Sequence, residues 1–385
     1  QRVVSTEGPQ AFYLAEAIAD NTRASRACLL AISGLTPYGS ALLTSPEAAQ
    51  WAARADRYSE PETVERARAD ALLGIMKWSR DTPSPESVIL LNQAVDRARR
   101  LGDADTYWWA AGIWLVTVEA PQHDEERLRL AEQMAEQSRH GVGFLALGWM
   151  LWFVAHTFLE FGQRRRAEDI MAELRTIAER SGQANLLVLS MVNDAILAIW
   201  DGRLEEAVAM RRHILARAEE LGILEFALVW ASWVLPARVH LGNAGRALEA
   251  NLQGSIDQLQ NAATGLMIGF CLAHLGRYAE VAEMLEDWVL ARPANPLVGS
   301  AEDEYATSAD AVLLENAVTA GHRQAGEVLL RRLARSSGRT SGLWLTTCAG
   351  RHMGAAAVLL GRPDEARKYY QGTIKACTEM RFRPE

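Results

Sequence analysis

The apolar positions of this chain recur with a period near 3.6. In Leu204, Ala207, Val208, Ile214, Leu215 and Ala218 they fall at i, i+3 and i+4, with charges on the opposite face. No segment alternates at period two over a useful length, so strands are not expected. The helical stretches are cut by glycines at regular intervals. One series is Gly162, Gly202, Gly242, Gly276, Gly321 and Gly361, spaced 40, 40, 34, 45 and 40 residues apart. A second is Gly102, Gly141, Gly182 and Gly222, spaced 39, 41 and 40, offset by about half a period. A helix ends at least cost on a residue without a Cβ, in the left-handed conformation. Two such glycines per period predict two helices per repeat.

A helix hairpin of about 40 residues cannot bury its apolar face alone, so each repeat must lean on its neighbours. The expected fold is an all-α solenoid of helix-turn-helix repeats of the tetratricopeptide type, wound as a right-handed superhelix. Ala167, Ala207, Ala247 and Ala366, each five residues after a turn glycine, supply the small side chains that close helix crossing requires. Residues 85–385 read as one array of about seven repeats. Residues 1–84 read as an atypical N-terminal helical segment: a helix pair over 9–34, a turn-rich break from Thr36 to Pro46, and a helix opened by Pro61. Pro293 to Ala301 is expected to be a long loop, which accounts for the 45-residue spacing.

Charge narrows the function. A formal net charge of -8 opposes a nucleic-acid footprint, which needs concentrated Lys and Arg. The clusters Arg164, Arg165, Arg166 and Arg331, Arg332 are interleaved with carboxylates and read as solvated helix faces. The uncharged run Val142 to Leu159 approaches the length of a membrane span, but Gly143, Gly148, His156 and Thr157 interrupt it in register with polar neighbours, so it reads as a buried solenoid helix. Four scattered cysteines without CxxC spacing, and no signal peptide, fit a cytoplasmic protein. The opening on Gln1 fits a processed or excised fragment.

Catalytic signatures are missing from the sequence. It holds no HExxH, HxH, GxSxG or GxxxxGK[ST]. Neither a metal site nor a cofactor is expected. His240 and His274, beside turn glycines, read as complements to helix C-termini, and the acidic groups Glu205, Glu206 and Glu302, Asp303, Glu304 as first-turn complements to the dipole. The more informative signal is the 12 tryptophans. Eight and eleven residues after the second-series glycines lie Trp149 and Trp152 in one repeat and Trp230 and Trp233 in another, with Ser190 and Asn193 in the repeat between. Positions three apart share a helix face. These indoles either fill the seam between helices or line a concave groove with Trp109, His156, Asn193 and Asp194, where Trp108, Trp114 and Trp200 would be companions.

The phrases SPEAAQWAARADRYSEPETVERARADALLGI, GQRRRAEDIMAELR, DAILAIWDGRLEEAVAMR, CLAHLGRYAEVAEMLE and LLGRPDEARKYYQGTIKACTEMRFRPE resemble the C-terminal tetratricopeptide region of large bacterial signal-transduction ATPases of the adenylate-cyclase-like and transcriptional-regulator types. The resemblance implies a non-catalytic sensing or partner-binding module, with any ATPase or cyclase activity in segments absent here, and a further helix after RFRP. The expected partner is a protein, a peptide or a small effector in the groove, with no nucleic acid and no membrane. A structural scaffold that self-associates through exposed repeat ends is the alternative, and an enzyme in an all-helical cavity a third.

Overall fold

The computed structural model describes residues 6–35, 45–80, 85–253, 262–291, 303–341 and 347–383. Among them the chain is an all-α helical-repeat fold of the solenoid class, without named strands. All ten glycines of the two series lie at positive φ, between 62° and 80°. Gly182 and Gly321 show the reason directly: each follows the last turn of its helix in the left-handed region and returns its N–H to a carbonyl of that turn. The four spacing alanines, Ala167, Ala207, Ala247 and Ala366, are buried.

The contacts divide the chain into two compact units: residues 1–118 with 136–153, and residues 119–135 with 154–385. In the first, α1 (Gly8–Ala17), α2 (Asn21–Leu35), α3 (Pro46–Tyr58), α4 (Val64–Arg80), α5 (Pro85–Leu101) and α6 (Ala104–Thr117) pack as successive neighbours. The pair over 9–34 is present as α1 and α2. Most of the Thr36 to Pro46 break lies outside the described residues, and Pro46 itself opens α3, whose N-cap Ser45 accepts from the amide of Ala48. The helix expected from Pro61 starts three residues later, because Glu62 takes a left-handed φ of 56°. Phe12, Cys28, Ile32, Ala48 and Trp51 make this core.

The second unit contains α7 (Asp124–Glu136) up to Ala135 and the end of α8 (Phe144–Glu160) from Val154. Then come α9 (Arg164–Ser181), α10 (Ala184–Trp200), α11 (Leu204–Glu220), α12 (Leu224–Trp230), α13 (Pro236–His240), α14 (Ala244–Gln253), α15 (Ala262–His274), α16 (Tyr278–Leu285), α17 (Thr307–Ala320), α18 (Arg323–Leu333), α19 (Ala349–Leu359) and α20 (Pro363–Met380). One repeat carries a broken first helix. Pro236 has no N–H to give, so a tight 3-10 turn over Ala231–Val234 separates α12 from α13, and Arg211 Nε donates to the carbonyl of Ala231 at 3.0 Å. The expected loop from Pro293 falls outside the described residues.

Late segments of this unit return to its beginning. The amide of Thr307 donates to the carbonyl of Glu119 (2.9 Å), those of Arg339 and Thr340 to the carbonyl of Glu160 (2.8 and 3.2 Å), and that of Arg383 to the carbonyl of Trp200 (2.9 Å). Phe382 stacks on Trp200 with centroids 4.5 Å apart. The Asp124 carboxylate accepts from the hydroxyl of Ser336 and the amide of Ser337, both at 2.7 Å. Beneath these contacts, buried Arg127 donates twice to buried Glu160, at 2.6 and 2.8 Å, and lies 3.6 Å from Glu119.

Three charge assignments from sequence need correction. Arg164 and Arg332 are not solvated: both are buried, the first donating to Asp201 (2.6 Å) and to the carbonyls of Met380 and Arg381, the second to Asp303 and Asp310. Asp303 and Glu304 are not first-turn residues; they precede α17 and are buried, Glu304 facing His123 at 2.7 Å. Glu302 lies outside the described residues. The apolar run becomes α8, a 17-residue helix buried along most of its length. Among the described residues no helix is long and apolar enough to cross a membrane.

Candidate functional site

Of the eight residues singled out from sequence, Trp109, Trp149 and Trp152 belong to the first unit. Trp109 is half-buried with the Arg68 guanidinium 5.9 Å from its ring centroid. Trp149 stacks on Phe153 at 5.9 Å, and Trp152 is fully buried. The other five belong to the second unit. Here α10 brings Asn193 to His156: the ring Nε2 lies 3.1 Å from Asn193 Oδ1, and both side chains are buried. Burial pushes the His156 imidazole down to about 3, only partly opposed by that hydrogen bond, so the ring is neutral. Asp194 points elsewhere, to an ion pair with Arg175; burial raises its carboxyl and the arginine opposes the rise. Trp230 is half-buried beside Phe226, and Trp233 is buried. Of the companions, Trp108, Trp114 and Trp200 are all buried.

A different constellation stands out in the second unit, built from the first helices of four consecutive repeats. Glu315 of α17 is its centre and is buried. From α15, His274 Nε2–H donates to Glu315 Oε1 at 3.3 Å. From α19, the Arg351 guanidinium lies 3.5 Å from Oε1 and His352 Nε2 lies 3.3 Å from Oε2. His240, at the end of α13, is coupled electrostatically to Glu315, Arg351 and His274. His274, in the last turn of α15, thus hydrogen-bonds a buried carboxylate, and burial lowers the His240 imidazole, so that this ring carries no charge at neutral pH to complement its helix end.

The electrostatics are decided by competition. Burial would push the Glu315 carboxyl up, but the charge of His352, carried only in the acid range where that ring is protonated, together with the His274 hydrogen bond and the Arg351 charge, outweighs it and holds the group well below the usual carboxylate range. Burial wins at His352, which falls to about 4. Glu315 is therefore ionised at neutral pH and His352 is not. Arg351 can only donate, and it sits 3.3 Å from His352 Nε2, so this nitrogen is an acceptor. Glu315 Oε2 then faces a second acceptor and has no hydrogen-bond donor among the described residues. Leaving a buried carboxylate oxygen in this state costs stability. The rim is accessible: the His274 and Arg351 side chains are 32% and 39% exposed.

The geometry argues against a nucleophilic triad. The Thr347 hydroxyl lies 2.6 Å from His352 Nε2, but Glu315 approaches the same nitrogen. A relay needs the hydroxyl and the carboxylate on different ring nitrogens. Cys271 is buried, with its thiol pushed up to about 12 by that burial. Among the described residues no group of three or more His, Cys, Asp and Glu is arranged to hold a metal ion.

The sequence carried one overlooked signal for this cluster. His240 and His274 occupy the same place, two residues before the turn glycine, in consecutive repeats. Glu315 and His352 stand six and nine residues before theirs, and only the packing of α17 against α15 and α19 unites them.

Comparison with known proteins leaves the assignment to the structure. No known family and no curated protein matches the chain. Among solved structures, it is similar to a circular tandem repeat protein with novel repeat topology and enhanced subunit contact surfaces. Identity is 17% over 97% of this chain and 88% of that one, with a TM-score of 0.22. A superposition that poor carries no argument about this chain.

Proposed function

We propose that this helical-repeat scaffold is a non-catalytic recognition module whose ligand site is the cluster around Glu315. One observation carries the reading: an ionised, buried carboxylate, contacted from the first helices of neighbouring repeats, has an oxygen without a donor beneath a partly exposed His274 and Arg351. Packing two repeats together needs no such group, and its desolvation costs several kcal/mol that apolar side chains would not incur (~1–4 kcal/mol). The complementary ligand is a small effector, or a peptide side chain, that presents N–H or O–H donors. The phrases that resemble signal-transduction ATPases support a cytoplasmic sensor that passes occupancy to an attached ATPase, with nucleotide chemistry in another part of the parent protein.

The test is a thermal-shift screen, read by tryptophan fluorescence, against amines, amino acids, sugars, nucleotides and short peptides. A compound at about 100 times its dissociation constant adds about 2.7 kcal/mol of stability. Glu315→Gln keeps the shape of the side chain and is expected to abolish the shift for a donor-bearing compound. If no class shifts the melt, or the shift survives in Glu315→Gln, the site is wrongly assigned. A scaffold reading is favoured by Tyr13, Leu14, Ile18 and Leu30, which leave large apolar surface exposed on α1, at its C-terminal end and on α2. Sedimentation velocity across a concentration series distinguishes it, since a scaffold associates without any ligand.

A further inference from the structure

A second site in this unit has the opposite character. A solvent-open cavity of about 580 Å³ lies between the start of α9 and the end of α20, lined by Arg164, Arg165, Arg166, Glu168, Glu379 and Arg381 among others. Its volume falls in the range of small-molecule pockets. Four guanidiniums face two carboxylates there, in a chain whose net charge is -8. Both carboxylates are already engaged: Glu168 accepts from Arg164 (2.8 Å) and twice from Arg381 (2.9 Å each), and Glu379 from Arg339 (3.0 Å).

Three of the four arginines, Arg164, Arg166 and Arg381, are held in place rather than loose. Arg164 is fixed by Asp201 and by the carbonyls of Met380 and Arg381, and Arg166 by Glu132 (2.6 Å) and Gln163 (2.9 Å). Arg165 has no ion pair among the described residues and is exposed, so its donors are available. Arg381 adds an independent sign. It takes the left-handed conformation, at φ 55°, just past the end of α20, a place where other helices of the array use glycine. An arginine there is strained, and its guanidinium lines the cavity. The first turn of α9 also holds no acidic residue, and Gln163 gives it no side-chain cap.

We propose that this cavity binds a small soluble polyanion, a compound with two or more phosphate or carboxylate groups, on Arg165, Arg166 and Arg381. Arginine forks match both oxyanion types with paired hydrogen bonds. Because the pocket joins α9 to α20, an occupant tightens the return of the last helix onto the start of the unit. The site is separate from the Glu315 cluster and does not depend on it.

Pyrophosphate and citrate serve as probes, titrated into the full chain by calorimetry and in thermal melts. One-to-one binding with a raised melting temperature is expected, weakened by about tenfold or more in Arg165→Glu and less in Arg165→Lys, which keeps the charge but loses the fork, with Glu315→Gln unchanged. Arg165→Glu places an acid in a first helical turn, where it suits the dipole, so the variant will fold. The proposal is overturned if neither probe binds, or if Arg165→Glu binds as tightly as the parent chain.

Discussion

Replacing Arg127 by Met tests the buried charge network of the second unit. Arg127 and Glu160 are 1% and 2% exposed, joined by two hydrogen bonds, with Glu119 3.6 Å away and Asp124 adding negative charge. Burial already pushes the Glu160 carboxyl up, and Arg127 is what opposes it. Without the arginine, Glu160 has two choices: stay ionised and unpaired, which costs roughly 3–5 kcal/mol, or take up a proton. From an ordinary carboxyl value of 4.5, protonation at pH 7 costs about 3.4 kcal/mol, at about 1.4 kcal/mol per pH unit. The second route caps the first. A loss of about 3–4 kcal/mol is therefore expected at pH 7, shrinking by about 1.4 kcal/mol for each pH unit of acidification until the carboxyl of the unfolded chain is itself protonated near 4.5. Urea unfolding followed by circular dichroism at pH 7, 6 and 5 measures this, with the double variant Arg127→Met, Glu160→Gln as control. That double variant has no orphan charge at Glu160 and should recover most of the loss. A deficit below about 1 kcal/mol at pH 7, or one independent of pH, refutes the reasoning.

Acid should weaken the parent chain through two other groups. His156 and His352 titrate near 3 and 4 in the fold against 6.5 in the unfolded chain, both lowered by burial. The unfolded state thus binds more protons below pH 6.5, and stability falls from there toward the folded values. Each histidine should cost about 2 kcal/mol between pH 7 and pH 5, and His156→Gln should remove its share of the change in urea midpoint. An unaltered pH dependence in that variant would mean that His156 is not held neutral. Packing can be tested at Gly354, where an added Cβ would lie 2.7–2.9 Å from ring carbons of Tyr370. Gly354→Ala should lose about 1–3 kcal/mol, and an unchanged melting temperature would show that α19 and α20 can part freely.

The repeat was legible because it is written in local physics. A helix end needs a left-handed residue, and a close crossing needs a small one, so glycine and alanine mark them wherever they occur; all ten glycines and all four alanines behave accordingly. What stayed hidden depends on distant partners. Arg164 looks solvated beside Arg165 and Arg166, and only the return of residues 380 and 381, more than 200 positions later, buries it. Arg332 is likewise indistinguishable from Arg331 by pattern, yet it faces inward to Asp303 and Asp310. The tryptophan register drew notice to α8 and α10, where it found the His156 and Asn193 contact. It had no means of reaching Glu315, whose partners come from different offsets in different repeats.

The return of Thr307, Arg339 and Arg383 to Glu119, Glu160 and Trp200 restricts how this protein can change over evolutionary time. Open repeat arrays gain or lose a copy at little cost, since each copy touches only its neighbours. Here a duplicated or deleted copy between residues 204 and 306 would shift the late segments past their hydrogen-bond partners and orphan the charges at Arg127, Arg164 and Glu160. Copy number in that stretch is therefore locked, and variation should enter by substitution within repeats, much as a closed barrel fixes its number of strands.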